Sequence, residues 1–185
     1  MDRDGTLSHE VGYLNHPSRF QLFPFAVDAV RLINRSGYLA VLVTNQAGVA
    51  RGYFTEPMIE EIHGSILAAM AKGDARLDGI YYCPHHPSVG QPPYRLDCDC
   101  RKPRPGLVLR AQAELDIDLA ASYVIGDRPS DLKLAWNVGA QAVFVKTGYG
   151  RGEWESRATT WARPPDIVAE NLLDAVLSIL WERRP

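Results

Sequence analysis

Five short segments of this 185-residue chain carry residue types that do chemistry. Asp2-Arg3-Asp4-Gly5-Thr6 places two carboxylates two positions apart and runs into a glycine. If the chain bends there, both can turn toward one site, although a polar turn would use the same residues. Val43-Thr44-Asn45-Gln46-Ala47-Gly48 offers small polar groups and amides just beyond an apolar run, and Arg101-Lys102-Pro103 with Arg104 is a compact set of cations. Gly126-Asp127-Arg128-Pro129-Ser130-Asp131 puts one aspartate at the end of an apolar run and a second acid four residues on, where an acid also serves as a helix N-cap. The fifth segment is the most specific: Cys83-x-His85, then twelve residues, then Cys98-x-Cys100. Three thiolates and one imidazole form a soft, tetrahedral set that suits Zn²⁺ and leaves no position open for water, so the site is expected to be structural. It would fold the loop from 83 to 106, which has little core of its own. His86 adjoins His85 and offers the same ligand; His85 is preferred because Cys-x-His mirrors Cys-x-Cys.

Positioning these groups falls to an ordinary globular chain. Hydrophobic residues make up 46% and charged residues 23%, which excludes a disordered tail, a collagen-like chain and a coiled-coil rod. One domain spanning 1–185 is the length prior. Twenty basic against twenty-two acidic residues give a net charge of −2, so no basic field invites nucleic acid. No apolar run nears the roughly 20 residues that span a bilayer. No basic-then-apolar leader opens the sequence, so a cytosolic location is expected. Helical spacing of apolar residues predicts helices over 25–36, 55–70 (with Thr55 as its cap), 107–115, 130–137 and 171–181. Apolar runs predict strands over 38–44, 79–82, 122–125 and 141–146, with 167–168 as a short edge strand. Strands alternating with helices make an α/β fold, a parallel sheet covered on both faces with right-handed crossovers. Ligands bind beyond the carboxyl ends of such strands, which is where Thr44, Asp127 and Thr147 fall.

Taken in order, Asp2-x-Asp4, a strand-end Thr44, Lys102 and Asp127 resemble the haloacid dehalogenase superfamily of phosphohydrolases. The resemblance implies a three-layer Rossmann-like fold and phosphate-ester hydrolysis. Asp2 would attack phosphorus to give an aspartyl-phosphate, while Asp4 protonates the leaving oxygen and later deprotonates water. Thr44, Lys102 and backbone N–H groups would neutralise the phosphoryl oxygens. Mg²⁺ would sit on Asp2, Asp127 and the carbonyl of Asp4.

Tyr81 to Pro87 and Cys98 to Pro103 look more narrowly like the heptose 1,7-bisphosphate 7-phosphatase family within that superfamily, as do Asp2 to Thr6, Val43 to Gly52 and Ala120 to Asp127. That likeness covers nearly the whole chain. It implies a sugar bisphosphate substrate, on a route to nucleotide-activated heptose for lipopolysaccharide, with Cys83, His85, Cys98 and Cys100 on zinc. Substrate contacts would come from Glu10, Val11, Gly12 and Tyr13, from Thr44, Asn45, Gln46 and Ala47, and from Arg101, Lys102 and Arg128. Histidinol-phosphate phosphatases share this chemistry and are the alternative, as is a phosphosugar-binding relative without turnover. The expected partner is a small sugar phosphate, with no nucleic acid and no membrane, on a monomer.

Two features set this chain apart. A nucleophile at the end of a central strand should follow several apolar residues, yet only Met1 precedes Asp2, so one further strand of about five to ten residues is expected before it. No large cap domain is present, so selection among substrates would fall to the loops. Arg101, Arg104 or Arg128 would then hold a second phosphate.

Overall fold

The computed structural model describes residues 1–14 and 16–182. Six α-helices and five strands are found among the described residues: α1 (Ala26–Arg35), β1 (Val41–Asn45), α2 (Glu56–Lys72), β2 (Gly79–Cys83), α3 (Gly106–Leu115), β3 (Tyr123–Gly126), α4 (Pro129–Val138), β4 (Gln141–Val145), α5 (Gly150–Arg157), β5 (Ile167–Ala169) and α6 (Leu172–Glu182). All strand pairs are parallel: β1 with β2, β3 with β4, and β4 with β5.

Two sheets result, β1-β2 and β3-β4-β5, and the first two residues join them. The Met1 amino group donates to Val41 O at 2.8 Å, Val43 N–H donates to Met1 O at 2.9 Å, and Asp2 N–H donates to Ile125 O at 2.9 Å. Met1 and Asp2 thus act as a two-residue strand between β1 and β3.

Alternation along each strand sorts the core into two layers. Leu42, Ile125, Val143 and Val145 face the helices α1, α2 and α6, packing with Val30, Ile66 and Val176. Val43 faces α3 together with Leu107, Val108 and Ala111, while Phe144 packs with Leu132 and Ala135 of α4. The doubly covered parallel sheet expected from the continuous apolar runs is therefore present.

Local details depart from the sequence expectations for clear reasons. β1 begins at Val41 rather than Tyr38, because Tyr38 N–H closes the end of α1 by bonding Ile33 O at 3.2 Å. Thr55 occupies the N-cap position of α2 but makes no side-chain capping bond. The adjacent Glu56 instead accepts from the hydroxyls of Tyr82 (2.7 Å) and Tyr94 (2.8 Å), tying α2 to β2 and to the cysteine loop. Helix α5 has no signature in the sequence: Gly-Arg-Gly-Glu-Trp-Glu-Ser-Arg has no apolar stripe, and its one large apolar side chain, Trp154, packs on Phe144 and Trp161.

Candidate active site and metal centre

Thr44 and Asp127 stand at the carboxyl edge of the sheet because each stands at the end of an apolar strand segment that the core holds in place, and Asp2 joins them through the backbone bonds that Met1 and Asp2 make to β1 and β3. Lys102 reaches the same edge from the cysteine loop. Its backbone is clamped to the end of β1: Asn45 Nδ2 donates to Lys102 O (3.1 Å), and Lys102 N–H donates to Asn45 Oδ1 (3.0 Å). The Lys102 ammonium, buried, lies 2.8 Å from Asp2 Oδ2 and 2.7 Å from Asp131 Oδ1. Burial alone would depress its pKa; Asp131 and Asp2 outweigh that and hold it above the ordinary lysine value.

Asp2, Asp127 and Asp131 each present an oxygen within 4.8 Å of the others. One ammonium against three carboxylates would leave two negative charges in a buried place if all three were ionised, and a divalent cation would neutralise them. Asp127 is the sharpest sign of this. Its Oδ2 accepts from Tyr149 N–H at 2.8 Å, while its buried Oδ1 has no partner. Burial, with Asp2 and Asp131 nearby, pushes its carboxyl up to about 8. Two loops make room for it: a Cβ at Gly5 (φ +79) or Gly148 (φ +56) would strike Asp127 Oδ2 at 2.2 or 2.3 Å. Thr147 Oγ1 donates to Gly5 O at 2.6 Å and locks these loops together. An orphaned hard oxygen in a cluster of excess negative charge fits Mg²⁺.

Asp4 points elsewhere. Arg3, almost wholly buried, grips it with Nε (3.0 Å) and Nη2 (2.8 Å), and Gln46 Nε2 donates to it at 2.8 Å. Gln46 Nε2 also donates to Thr44 Oγ1 at 2.9 Å, so Thr44 and Asp4 share one amide.

The residues expected to contact substrate divide into three groups. Thr44 and Asn45 at the end of β1 and Gln46 and Ala47 just beyond it lie together, and Gln46 N–H is fixed by Cys83 O at 2.7 Å. Glu10 and Arg128 face one another across the mouth, Oε2 to Nη2 3.8 Å; the Arg128 guanidinium lies 3.8 Å over the Tyr149 ring, and Glu10 Oε1 accepts from Gly12 N–H. Between these loops a cavity of about 450 Å³ is lined by His9, Glu10, Gly12, Phe23, Thr147, Gly148 and Tyr149. Val11 spends its carbonyl on Arg19, and Tyr13 packs edge-on against Tyr53. Arg101 is drawn toward the cysteine loop, its Nη1 donating to His85 O at 3.3 Å.

Cys83, His85, Cys98 and Cys100 converge. Ligand sulfurs about 2.3 Å from a tetrahedral ion stand about 3.8 Å apart. The separations here are 3.1 Å (Cys98–Cys100), 3.2 Å (Cys83–Cys100), 3.5 Å (Cys83–Cys98), 3.3 Å (His85 Nδ1–Cys100) and 3.8 Å (His85 Nδ1–Cys83). That slightly contracted tetrahedron fits Zn²⁺. His86 faces away, its Nδ1 accepting from Ser88 and Val89 N–H and its Nε2 next to Arg51. Cys100 and Lys102 are two residues apart, so an ion here would fix the loop that delivers the buried ammonium.

Two site residues were not singled out from sequence. Asp131 looked like a helix cap, and it does accept from Arg128 N–H at 3.1 Å, but its other oxygen meets Lys102. Arg3 looked like a spacer between two acids. Its apolar neighbourhood, with Phe20 beside the guanidinium, is invisible in the linear chain.

Known proteins resemble this chain over most of its length. Residues 99–175 match the family described as HAD-hydrolase-like. A D-glycero-β-D-manno-heptose-1,7-bisphosphate 7-phosphatase of Salmonella typhi is 41% identical over 182 residues, 97% of this chain and 89% of that protein. The protein of the same name from Haemophilus influenzae is 45% identical over 178 residues, 94% of this chain and 91% of its own. The crystal structure of D,D-heptose 1,7-bisphosphate phosphatase from B. bronchiseptica, complexed with magnesium and phosphate, superposes with a TM-score of 0.84 at 30% identity, covering 98% of this chain and 96% of that one.

Proposed function

The chain belongs to the D-glycero-D-manno-heptose 1,7-bisphosphate 7-phosphatase family of HAD-like phosphoric monoester hydrolases, and on that premise we propose that it removes the 7-phosphate of heptose 1,7-bisphosphate through an aspartyl-phosphate on Asp2. The observation that carries this reading is the buried Lys102 ammonium held between Asp2 and Asp131, beside the unpartnered Asp127 Oδ1.

Asp2, Asp127 and the carbonyl of Asp4 would hold Mg²⁺, which when bound supplies Lewis-acid polarisation of the phosphoryl group. An Asp2 carboxylate oxygen attacks phosphorus as the bond to the sugar oxygen breaks. That oxygen takes its proton from Asp4 and leaves as the alcohol. Water then attacks the same phosphorus and gives its proton to Asp4, and the bond to Asp2 breaks to release phosphate. Lys102 and Thr44 Oγ1 offset the charge on the phosphoryl oxygens in both steps. Asp4 must leave Arg3 and Gln46, at least in part, to reach the leaving oxygen; substrate entering beside Thr44 competes for the Gln46 amide.

The cavity between Glu10 and Tyr149 lies where the rest of a sugar would extend, and Arg128 at its edge suits a remote phosphate. Zn²⁺ on Cys83, His85, Cys98 and Cys100 would be structural. No helix among the described residues is long and apolar enough to cross a membrane. On our reading the enzyme is a cytoplasmic monomer that supplies a dephosphorylated heptose for surface-glycan precursors.

Rates of phosphate release in Mg²⁺ from heptose 1,7-bisphosphate, heptose 7-phosphate and histidinol phosphate test this. The bisphosphate should lead heptose 7-phosphate by at least about tenfold in kcat/KM, a difference of about 1.4 kcal/mol in transition-state binding. A higher kcat/KM on histidinol phosphate would overturn it.

A further inference from the structure

Of Arg101, Arg104 and Arg128, only the last keeps its guanidinium donors uncommitted. Arg101 Nη1 donates to His85 O at 3.3 Å, and Arg104 donates through Nη1 to Cys98 O at 2.9 Å and through Nη2 to Asp97 Oδ2 at 3.0 Å. Among the described residues the Arg128 guanidinium meets no acceptor at hydrogen-bond distance; Glu10 Oε2 stands 3.8 Å from its Nη2, beyond that reach.

Tyr149 sets the plane of this guanidinium. The Arg128 Cζ lies 3.8 Å from the centroid of the Tyr149 ring. At that separation the cation rests on the π face, which leaves the N–H groups at its rim directed outward. Both backbones are pinned. Arg128 is the N-cap residue of α4 and its N–H donates to Asp131 Oδ2 at 3.1 Å; Tyr149 is the N-cap residue of α5 and its N–H donates to Asp127 Oδ2 at 2.8 Å. Core packing does not account for the Tyr149 ring, which is 42% exposed and lines the same cavity as Glu10. Its hydroxyl bonds to nothing among the described residues, so the face of the ring is what the side chain contributes.

We propose, on the premise that the substrate carries a second phosphate, that Tyr149 is a positioning residue for it: the ring holds the Arg128 guanidinium at the cavity mouth with its N–H rim toward Glu10, so that the remote phosphate meets donors already oriented. A free arginine would give up rotamer freedom on binding, and the stack removes that cost beforehand. A dianionic phosphate displaces the single Glu10 carboxylate from the rim. Because Tyr149 N–H also holds Asp127, one residue sets the remote subsite in register with the reacting centre.

The test compares wild type, Tyr149→Phe, Tyr149→Leu, Arg128→Met and the double variant Tyr149→Leu with Arg128→Met. It reads the ratio of kcat/KM on heptose 1,7-bisphosphate to kcat/KM on heptose 7-phosphate. Tyr149→Leu should lower that ratio by about fivefold, as expected for loss of one cation–π contact. Tyr149→Phe should keep most of it, and Tyr149→Leu should lower it no further in the Arg128→Met background. In the unliganded protein, NMR should show a ring-current shift at the Arg128 Nε–H proton in wild type and Tyr149→Phe but not in Tyr149→Leu. Absence of that shift in wild type, a further loss in the Arg128→Met background, or equal losses of kcat on both substrates would overturn the proposal; the last would mean that the residue serves only to seat Asp127. A wild type with no preference for the bisphosphate would overturn the substrate reading and this proposal with it, whereas a preference that survives Tyr149→Leu would overturn this proposal alone.

Discussion

The ammonium of Lys102 and the carboxylate of Asp131 are 2.7 Å apart and almost wholly buried, although one leaves the cysteine loop and the other opens α4. Asp131 also receives Arg128 N–H, so a single carboxylate aims the lysine and caps the helix that follows Asp127. Asp131→Asn keeps the cap acceptor and removes the charge. Turnover should fall by about tenfold or more, because breaking a buried pair leaves Lys102 leaning on Asp2 alone. A double-mutant cycle with Lys102→Met, read in kcat, should show strong non-additivity; additive losses would mean that the two act separately.

Asp4 should respond differently. Asp4→Asn keeps one acceptor oxygen for Arg3 Nη2 and Gln46 Nε2, gives up the acceptor for Arg3 Nε, and cannot give or take the proton. Turnover should drop by roughly a hundredfold or more while Mg²⁺ and substrate still bind. Acid-quenched samples with a labelled phosphate ester should show phosphate retained on Asp2. Unchanged turnover would remove Asp4 from the proton transfers.

The cysteine cluster predicts about one tightly held zinc per chain by elemental analysis. Cys98→Ala, or prolonged chelation of the wild type, should lower Tm and turnover together, since the loop delivers Lys102 through the clamp at Asn45. Zinc should restore the chelated wild type but not the variant. A zinc-free protein of undiminished Tm would show that the loop holds itself.

His63 gives a pH dependence of stability. Burial, and then Arg3, push its pKa down to about 4, with Asp4 acting weakly in the opposite sense; the ring packs on Tyr82. The unfolded chain therefore binds a proton at His63 near pH 6.5 that the folded chain refuses until about 4. Stability from this group is complete above pH 6.5 and is lost as pH falls toward 4, by about 2 kcal/mol at pH 5. Urea unfolding at pH 7.5 and pH 5 should show that loss in the wild type and a loss smaller by about 2 kcal/mol in His63→Phe. Equal losses would place the acid sensitivity elsewhere.

Sequence alone determined the parts of this protein whose cause is local. The apolar runs of β1, β3 and β4 and the stripes of α1, α2 and α6 record burial residue by residue, so alternating strands and helices were legible. The spacing Cys83-x-His85 and Cys98-x-Cys100 is itself the geometry of a ligand pair, and the shared carboxyl edge of a parallel sheet brings Asp2, Thr44 and Asp127 together. Tertiary structure decided the rest. Asp131 becomes a partner of Lys102 only because α4 and the cysteine loop pack onto the same strand ends. Arg3 becomes the holder of Asp4 only once the core encloses its guanidinium. Helix α5 stands on Trp154 meeting Phe144 and Trp161, a contact without a period. Pairing between residues distant along the chain depends on how whole faces pack, and no local pattern encodes that packing.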